Sequence, residues 1–143
     1  MKNGIVGFRH AGVNVKNMEV ALAFYGQLLG LELISDRISD DGGRFVGAGE
    51  TPVRICVLRV PGSESHIELL EYRAAGGAPV SGKPVDFGVA HASFWVKDID
   101  ALFERLVAAN VPVHSPPIMP ASGRKKFYAS DPDGFLLELT EGP

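Results

Sequence analysis

Residues 10–19 read HAGVNVKNME, and residues 91–100 read HASFWVKDID. Set against each other at an offset of 81 residues, the two stretches share His, Ala, Val and Lys at matching positions. Asn/Asp, Met/Ile and Glu/Asp match in kind. A helical apolar pattern follows each copy: Val20, Ala21, Phe24 and Leu28 in the first, Leu102, Phe103 and Leu106 in the second. Asn17 and Asp98 suit the N-caps of these helices, and Gly30 and Asn110 suit their C-terminal stops. A β-like stretch then begins in each copy, at residues 31–34 and 111–113.

A second pair of segments repeats further on. Residues 67–71 are IELLE and residues 137–141 are LELTE, at an offset of 70. Residues 54–60 and 124–130 supply a further strand before each. The repeating unit is therefore strand, helix, then two or three strands. The sequence predicts an α+β fold of two βαβββ modules in tandem, eight strands in all. Module one spans about residues 5–73 and module two about residues 87–141 of a single domain, 1–143. The stretch AAGGAPVSGKPVDFG, rich in Gly and Pro, reads as a linker centred on residues 74–86.

Composition sets bounds on partners. The chain has 143 residues, 45% apolar and 22% charged, with a formal net charge of −3. A chain of this size buries about two-thirds of its unfolded surface, enough for an unstapled core. The acidic balance argues against nucleic acid and anionic membrane as partners. No apolar run is long enough to span a bilayer, and the N-terminus lacks the core of a signal peptide. The single Cys56 excludes an internal disulfide and a multi-cysteine zinc site. These features predict a cytoplasmic protein acting on a small molecule.

Four polar side chains occupy duplicated places. His10 and His91 match on the first strands, and Glu68 and Glu138 match on the last. Pseudo-twofold symmetry could bring two imidazoles and two carboxylates to one point. That set suits a divalent Zn, Ni, Co, Mn or Fe ion, and suits calcium less, because calcium prefers oxygen donors throughout. Neither His-to-Glu spacing, 58 or 47 residues, is a local metal motif. The signal lies in the duplication.

The residues also resemble a known family. HAGVNVKNMEVALAFYGQLLGLEL at 10–33, HIELLEY at 66–72, VAHASFWVKDIDALFERL at 89–106 and FYASDPDGFLLELTE at 127–141 are similar to the vicinal oxygen chelate superfamily. That superfamily is also called the glyoxalase/bleomycin-resistance/dioxygenase family. The resemblance covers nearly the whole chain. It implies paired βαβββ modules forming a cleft around a metal, often in a homodimer, with His10, Glu68, His91 and Glu138 as ligands.

What the resemblance implies about activity is a metal-dependent lyase or isomerase of the glyoxalase or epimerase type. LRVPGSESHIELLEY and GVAHASFWVKDIDALFERL look most like epimerase-type members. The metal would bind substrate oxygens, and Glu138 or Glu68 would move a proton beside a carbonyl. Two alternatives stay open: an Fe(II) extradiol dioxygenase using Tyr128, and a non-enzymatic small-molecule binding or resistance protein.

Further residues can line the site. His66 lies two positions before Glu68, so on a strand both face one way. Trp95 shares the parity of His91. Arg124 opens the basic run Arg124-Lys125-Lys126 and could hold an anionic substrate group. His66, Trp95, Arg124 and Tyr128 are thus expected to bind substrate. Cys56, Phe24, Tyr25 and Phe103 read as packing residues, and Asp131-Pro132-Asp133-Gly134 as a turn.

Overall fold

The computed structural model describes residues 4–73, 76–80, 82–121 and 123–142. The chain divides into two compact units, Met1–Gly76 and Gly77–Pro143. Positions 74, 75 and 81 of the expected linker lie outside the described residues. Among the described residues, no helix is long and apolar enough to cross a membrane.

Unit one begins with β1 (Ala11–Asn14), which opens one residue after His10. Asn17 caps α1 (Met18–Leu22), its side chain accepting from the amides of Glu19 at 3.0 Å and Val20 at 3.2 Å. The helix runs on as a π-helical segment, Ala23–Leu28, in which Leu29 N–H donates to the Phe24 carbonyl. It ends at Gly30, whose φ of 83° favours a residue without a Cβ. Then come β2 (Glu32–Ser39), a 3₁₀ turn (Gly42–Val46), β3 (Val53–Arg59) and β4 (His66–Tyr72). The sheet order is β1-β4-β3-β2, with β1 parallel to β4 and the other pairs antiparallel.

The core of unit one lies on one face of that sheet. Val13, Cys56, Leu58, Ile67 and Leu69 are buried there, with Met18, Ala21, Phe24 and Tyr25 of the helix. Glu71 accepts from the Met18 amide at 3.0 Å and so ties the helix start to β4. Val20 was expected on the apolar face but is half exposed. The next turn goes over to π spacing, and the buried side chains fall on Met18, Ala21, Phe24 and Tyr25 instead.

Unit two has β5 (His91–Val96), α2 (Ile99–Ala108), β6 (Lys126–Ser130) and β7 (Leu136–Glu141). The order is β5-β7-β6, again with the first strand parallel to the last. Asp98 caps α2 by accepting from the Ala101 amide at 3.0 Å. Asn110 ends it in the left-handed region, φ 56°. Ile99, Leu102 and Leu106 of the helix are buried, as are Phe127, Leu137 and Leu139 of the sheet, and Phe103 meets Phe127 edge to face.

Both caps and both stops fall where the sequence places them. The strand count does not: seven strands form among the described residues, against the eight expected. In unit two the β2 equivalent is reduced to two isolated bridges, Val113 to Ala129 and Ile118 to Lys126. Pro112, Pro116 and Pro117 interrupt this stretch. Proline has no N–H to give a ladder, so a continuous strand cannot form there.

Candidate functional site

Each unit sets a histidine against a glutamate in the same register. In unit one Glu68 of β4 lies opposite Gly12 of β1 and Val57 of β3. In unit two Glu138 of β7 lies opposite Ser93 of β5 and Tyr128 of β6. Gly12 and Ser93 each stand two residues after the histidine. Strand alternation therefore turns histidine and glutamate to one face, away from the helix. His10 Nε2 lies 3.3 Å from Glu68 Oε2, and His91 Nε2 lies 4.0 Å from Glu138 Oε2.

The two carboxylates differ in their company. Glu138 Oε1 accepts from Ser93 Oγ and Thr140 Oγ1, both at 3.1 Å. Glu138 Oε2 accepts from the Tyr128 hydroxyl, and Lys126 Nζ lies 3.6 Å from Oε1. The Tyr128 hydrogen bond holds the Glu138 carboxyl below the usual carboxylate range against the opposing effect of burial, with Ser93, Thr140 and Lys126 adding to it. Burial, with the carboxylate as hydrogen-bond partner, pushes the Tyr128 phenol up to about 12. Around Glu68 the matching positions hold Gly12, Val57 and Leu70, none with a side-chain donor. His10 is its polar partner.

The donors fit a divalent metal. Nitrogen and oxygen ligands about 2.1 Å from one ion, at an angle near 90–110°, are about 3.0–3.4 Å apart. The 3.3 Å between His10 Nε2 and Glu68 Oε2 matches that separation, and the His91–Glu138 pair is slightly wider. His10 Nδ1 is buried without a hydrogen-bond partner. Leaving a ring nitrogen so costs about 1–3 kcal/mol, so the fold maintains the imidazole with Nε2 toward Glu68 at a cost in stability. Among the described residues no three His, Cys, Asp or Glu side chains gather to hold a metal; the donors come as pairs.

The other expected site residues divide between the units. His66 joins the His10–Glu68 face, its ring centroid 6.0 Å from that of His10. Its Nδ1 lies 3.3 Å from the Glu64 carbonyl. Tyr128 packs edge-on against His91 at 5.4 Å. Trp95 is 65% exposed on the face of His91 and Ser93, with the Arg124 guanidinium 5.2 Å from its ring centre. The basic run splits by strand parity: Lys126 turns toward Glu138, whereas Lys125 pairs with Asp100 at 2.6 Å. Asp131 is structural, its Oδ1 accepting from the amides of Asp133 and Phe135.

Sequence reasoning missed Ser93 and Thr140. Their signal was available as parity: Ser93 lies two residues after His91, and Thr140 two after Glu138. It also missed His114, whose Nε2 lies 2.9 Å from Ser130 Oγ; no local pattern links those two.

Comparison with known proteins agrees with this architecture. The Glyoxalase/Bleomycin resistance protein/Dioxygenase superfamily matches residues 7–139. A curated relative, the 2-epi-5-epi-valiolone epimerase of an Actinomyces species, is 30% identical over 151 positions, covering 98% of this chain and 81% of that protein. A glyoxalase family protein from Bacillus cereus superposes with a TM-score of 0.85 at 22% identity, covering 98% of this chain and 96% of the other. The trypanothione-dependent glyoxalase I of Leishmania major superposes at 0.67 with 21% identity, over 92% and 84%. The chain belongs to the glyoxalase/bleomycin resistance/dioxygenase superfamily.

Proposed function

We propose that this protein is a metal-dependent isomerase or lyase that moves a proton beside a carbonyl of a small substrate. The observation that carries the reading is the His–Glu pair repeated in identical register in both units. The name of the Actinomyces relative supports it. An epimerase acting on a ketone inverts a carbon centre, and inversion beside the carbonyl needs a proton removed and returned.

His10 with Glu68, and His91 with Glu138, would each offer a nitrogen and an oxygen ligand to a divalent ion, which would supply Lewis-acid polarisation of substrate oxygens. The residues then take unequal parts. Glu138, fixed by three hydroxyl donors, keeps its place and binds a proton weakly. Glu68 lacks such donors, so its carboxylate is the one able to swing and to accept a proton at Oε2. His66, on the same face two residues away, would exchange that proton with solvent before Glu68 returns a proton to the substrate. In unit two, Trp95 with Arg124 above it would wall a substrate group held beside the His91–Glu138 pair.

The test is proton exchange from the carbon beside the carbonyl, read by NMR in D₂O over a panel of hydroxy ketones that includes 2-epi-5-epi-valiolone. Metal content is measured alongside by mass spectrometry. Wild type should hold near-stoichiometric metal and exchange the proton. Glu68→Gln should cut exchange by about 10²-fold or more. Full exchange by Glu68→Gln, or a metal-free wild type that exchanges equally well, would overturn the reading.

A further inference from the structure

The face that carries Glu68 continues along unit one into a second feature. Cross-strand rows on that face follow from the register. Gly12, Glu68, Val57 and Ser35 form one row; Asn14, Leu70, Ile55 and Arg37 the next; Tyr72, Val53 and Ser39 the third. The second and third rows line a depression of about 250 Å³. Its floor is Val53, Ile55 and Leu70, its walls are Phe45 and Tyr72, and Arg37 and Ser39 stand at its rim.

Two observations give this depression a chemical identity. The first is its construction. The 3₁₀ turn that carries Phe45 is pressed onto β3 through glycines: a Cβ at Gly43 would sit 2.7 Å from Thr51 Cβ, and one at Gly42 would sit 3.0 Å from Val53 Cγ2. Gly43 N–H also donates to the Thr51 carbonyl at 2.9 Å. Phe45 is therefore held in the wall by backbone packing, although the residue is 87% exposed. The second is charge. Arg54 and Arg59 of β3 pair with Asp36, Glu19 and Glu32, whereas among the described residues Arg37 pairs with no carboxylate. An uncompensated guanidinium beside an apolar, aromatic-walled hollow matches an oxyanion on an apolar stem.

We propose that Arg37, Phe45 and Tyr72 form a binding subsite for the oxyanion-bearing end of the substrate, a carboxylate or phosphate carried on an apolar or cyclic stem. Arg37 lies one row along and two strands across from Glu68, about 12 Å between Cα positions by sheet spacing. The substrate is thus an elongated molecule with its carbon acid at one end and its anion at the other. That the occupant is the substrate's own far end rests on the proton-transfer reading; the anion site itself does not.

The test uses the full chain, freed of metal with EDTA, in ¹H–¹⁵N NMR titrations with 4-phenylbutyrate and with phenethyl phosphate. The neutral 4-phenylbutanol is the control. Both anions should shift the signals of Arg37, Ser39, Phe45 and Leu70 and bind at least tenfold more tightly than the alcohol. Arg37→Gln should remove that tenfold preference, Arg37→Lys should keep part of it, and His10→Ala should leave it intact. Whichever anion binds more tightly names the headgroup. Equal affinity for alcohol and anions, an unchanged preference in Arg37→Gln, or shifts centred on His10 and Glu68 would overturn the subsite. Anion binding that persists in a protein showing no proton exchange would leave the subsite standing and remove the catalytic reading alone.

Discussion

The Tyr128 hydroxyl donates to the Glu138 carboxylate, and the residue in the equivalent register beside Glu68 is Val57, which has nothing to donate. One pair of duplicated carboxylates has thereby been given two characters. Tyr128→Phe should make the difference measurable. Removing one hydrogen bond to a partly buried charge costs about 1.5–3 kcal/mol at neutral pH. The carboxyl of Glu138 is depressed in the folded state. Its contribution is therefore present above the ordinary value of 4.5 and is lost as pH falls through the folded value. Urea midpoints of EDTA-treated wild type and Tyr128→Phe should differ at pH 7 and converge as pH falls well below 4.5 and through the depressed folded value; a constant gap would contradict this origin.

His10→Ala separates binding from stability. The variant loses an imidazole whose Nδ1 is buried and unpartnered, so the penalty of that orphan disappears with it. Thermal midpoints of the metal-free proteins should agree within about 2 °C, a change of under about 1 kcal/mol. Metal content should fall sharply in the same variant. A large loss of stability without metal would show that His10 is a packing residue.

Cys56 should be inert. It is fully buried, and burial, with help from Asp36, pushes its thiol up to about 11. At pH 8 about one thiol in a thousand is ionised in the folded state, and the reactive species is the thiolate. Labelling by a disulfide reagent should follow unfolding and accelerate in urea. The sign for stability is the reverse of the carboxylate case. The raised value contributes stability below about pH 9, and that contribution is lost as pH rises toward 11.

Gly43→Ala probes the 3₁₀ turn. Its new methyl would meet Thr51 Cβ at 2.7 Å and the Gly49 carbonyl at 3.1 Å, so the turn must lift from the segment that leads into β3. A cost of about 1–3 kcal/mol is expected, with weaker binding of 4-phenylbutyrate because Phe45 moves with the turn. Unchanged stability and binding would show that the turn is not braced there.

Much of this protein is legible in its sequence because duplication writes each signal twice. Asn17 and Asp98 identify themselves as caps by side-chain chemistry at the start of matched apolar patterns. The His and Glu positions stand out because the pair repeats while its surroundings differ. What escapes is set by neighbours remote in sequence. Two of the donors around Glu138, Ser93 and Tyr128, arrive from β5 and β6, and the register shows that Gly12 and Val57 stand in their places around Glu68. Arg37 is invisible for the same reason: its meaning depends on Phe45 and Tyr72 being brought beside it. The missing eighth strand follows from prolines whose number was plain but whose effect on a ladder depends on where pairing would fall.

Among the described residues, only unit one possesses the strand β2, and with it the β2–β3 hairpin that contains the glycine-braced turn. The two units, alike in their His–Glu register, are therefore not interchangeable. Substitutions in the β2–β3 hairpin can reshape the hollow beside Phe45 while the hydroxyl donors that fix Glu138, all carried by unit two, stay as they are.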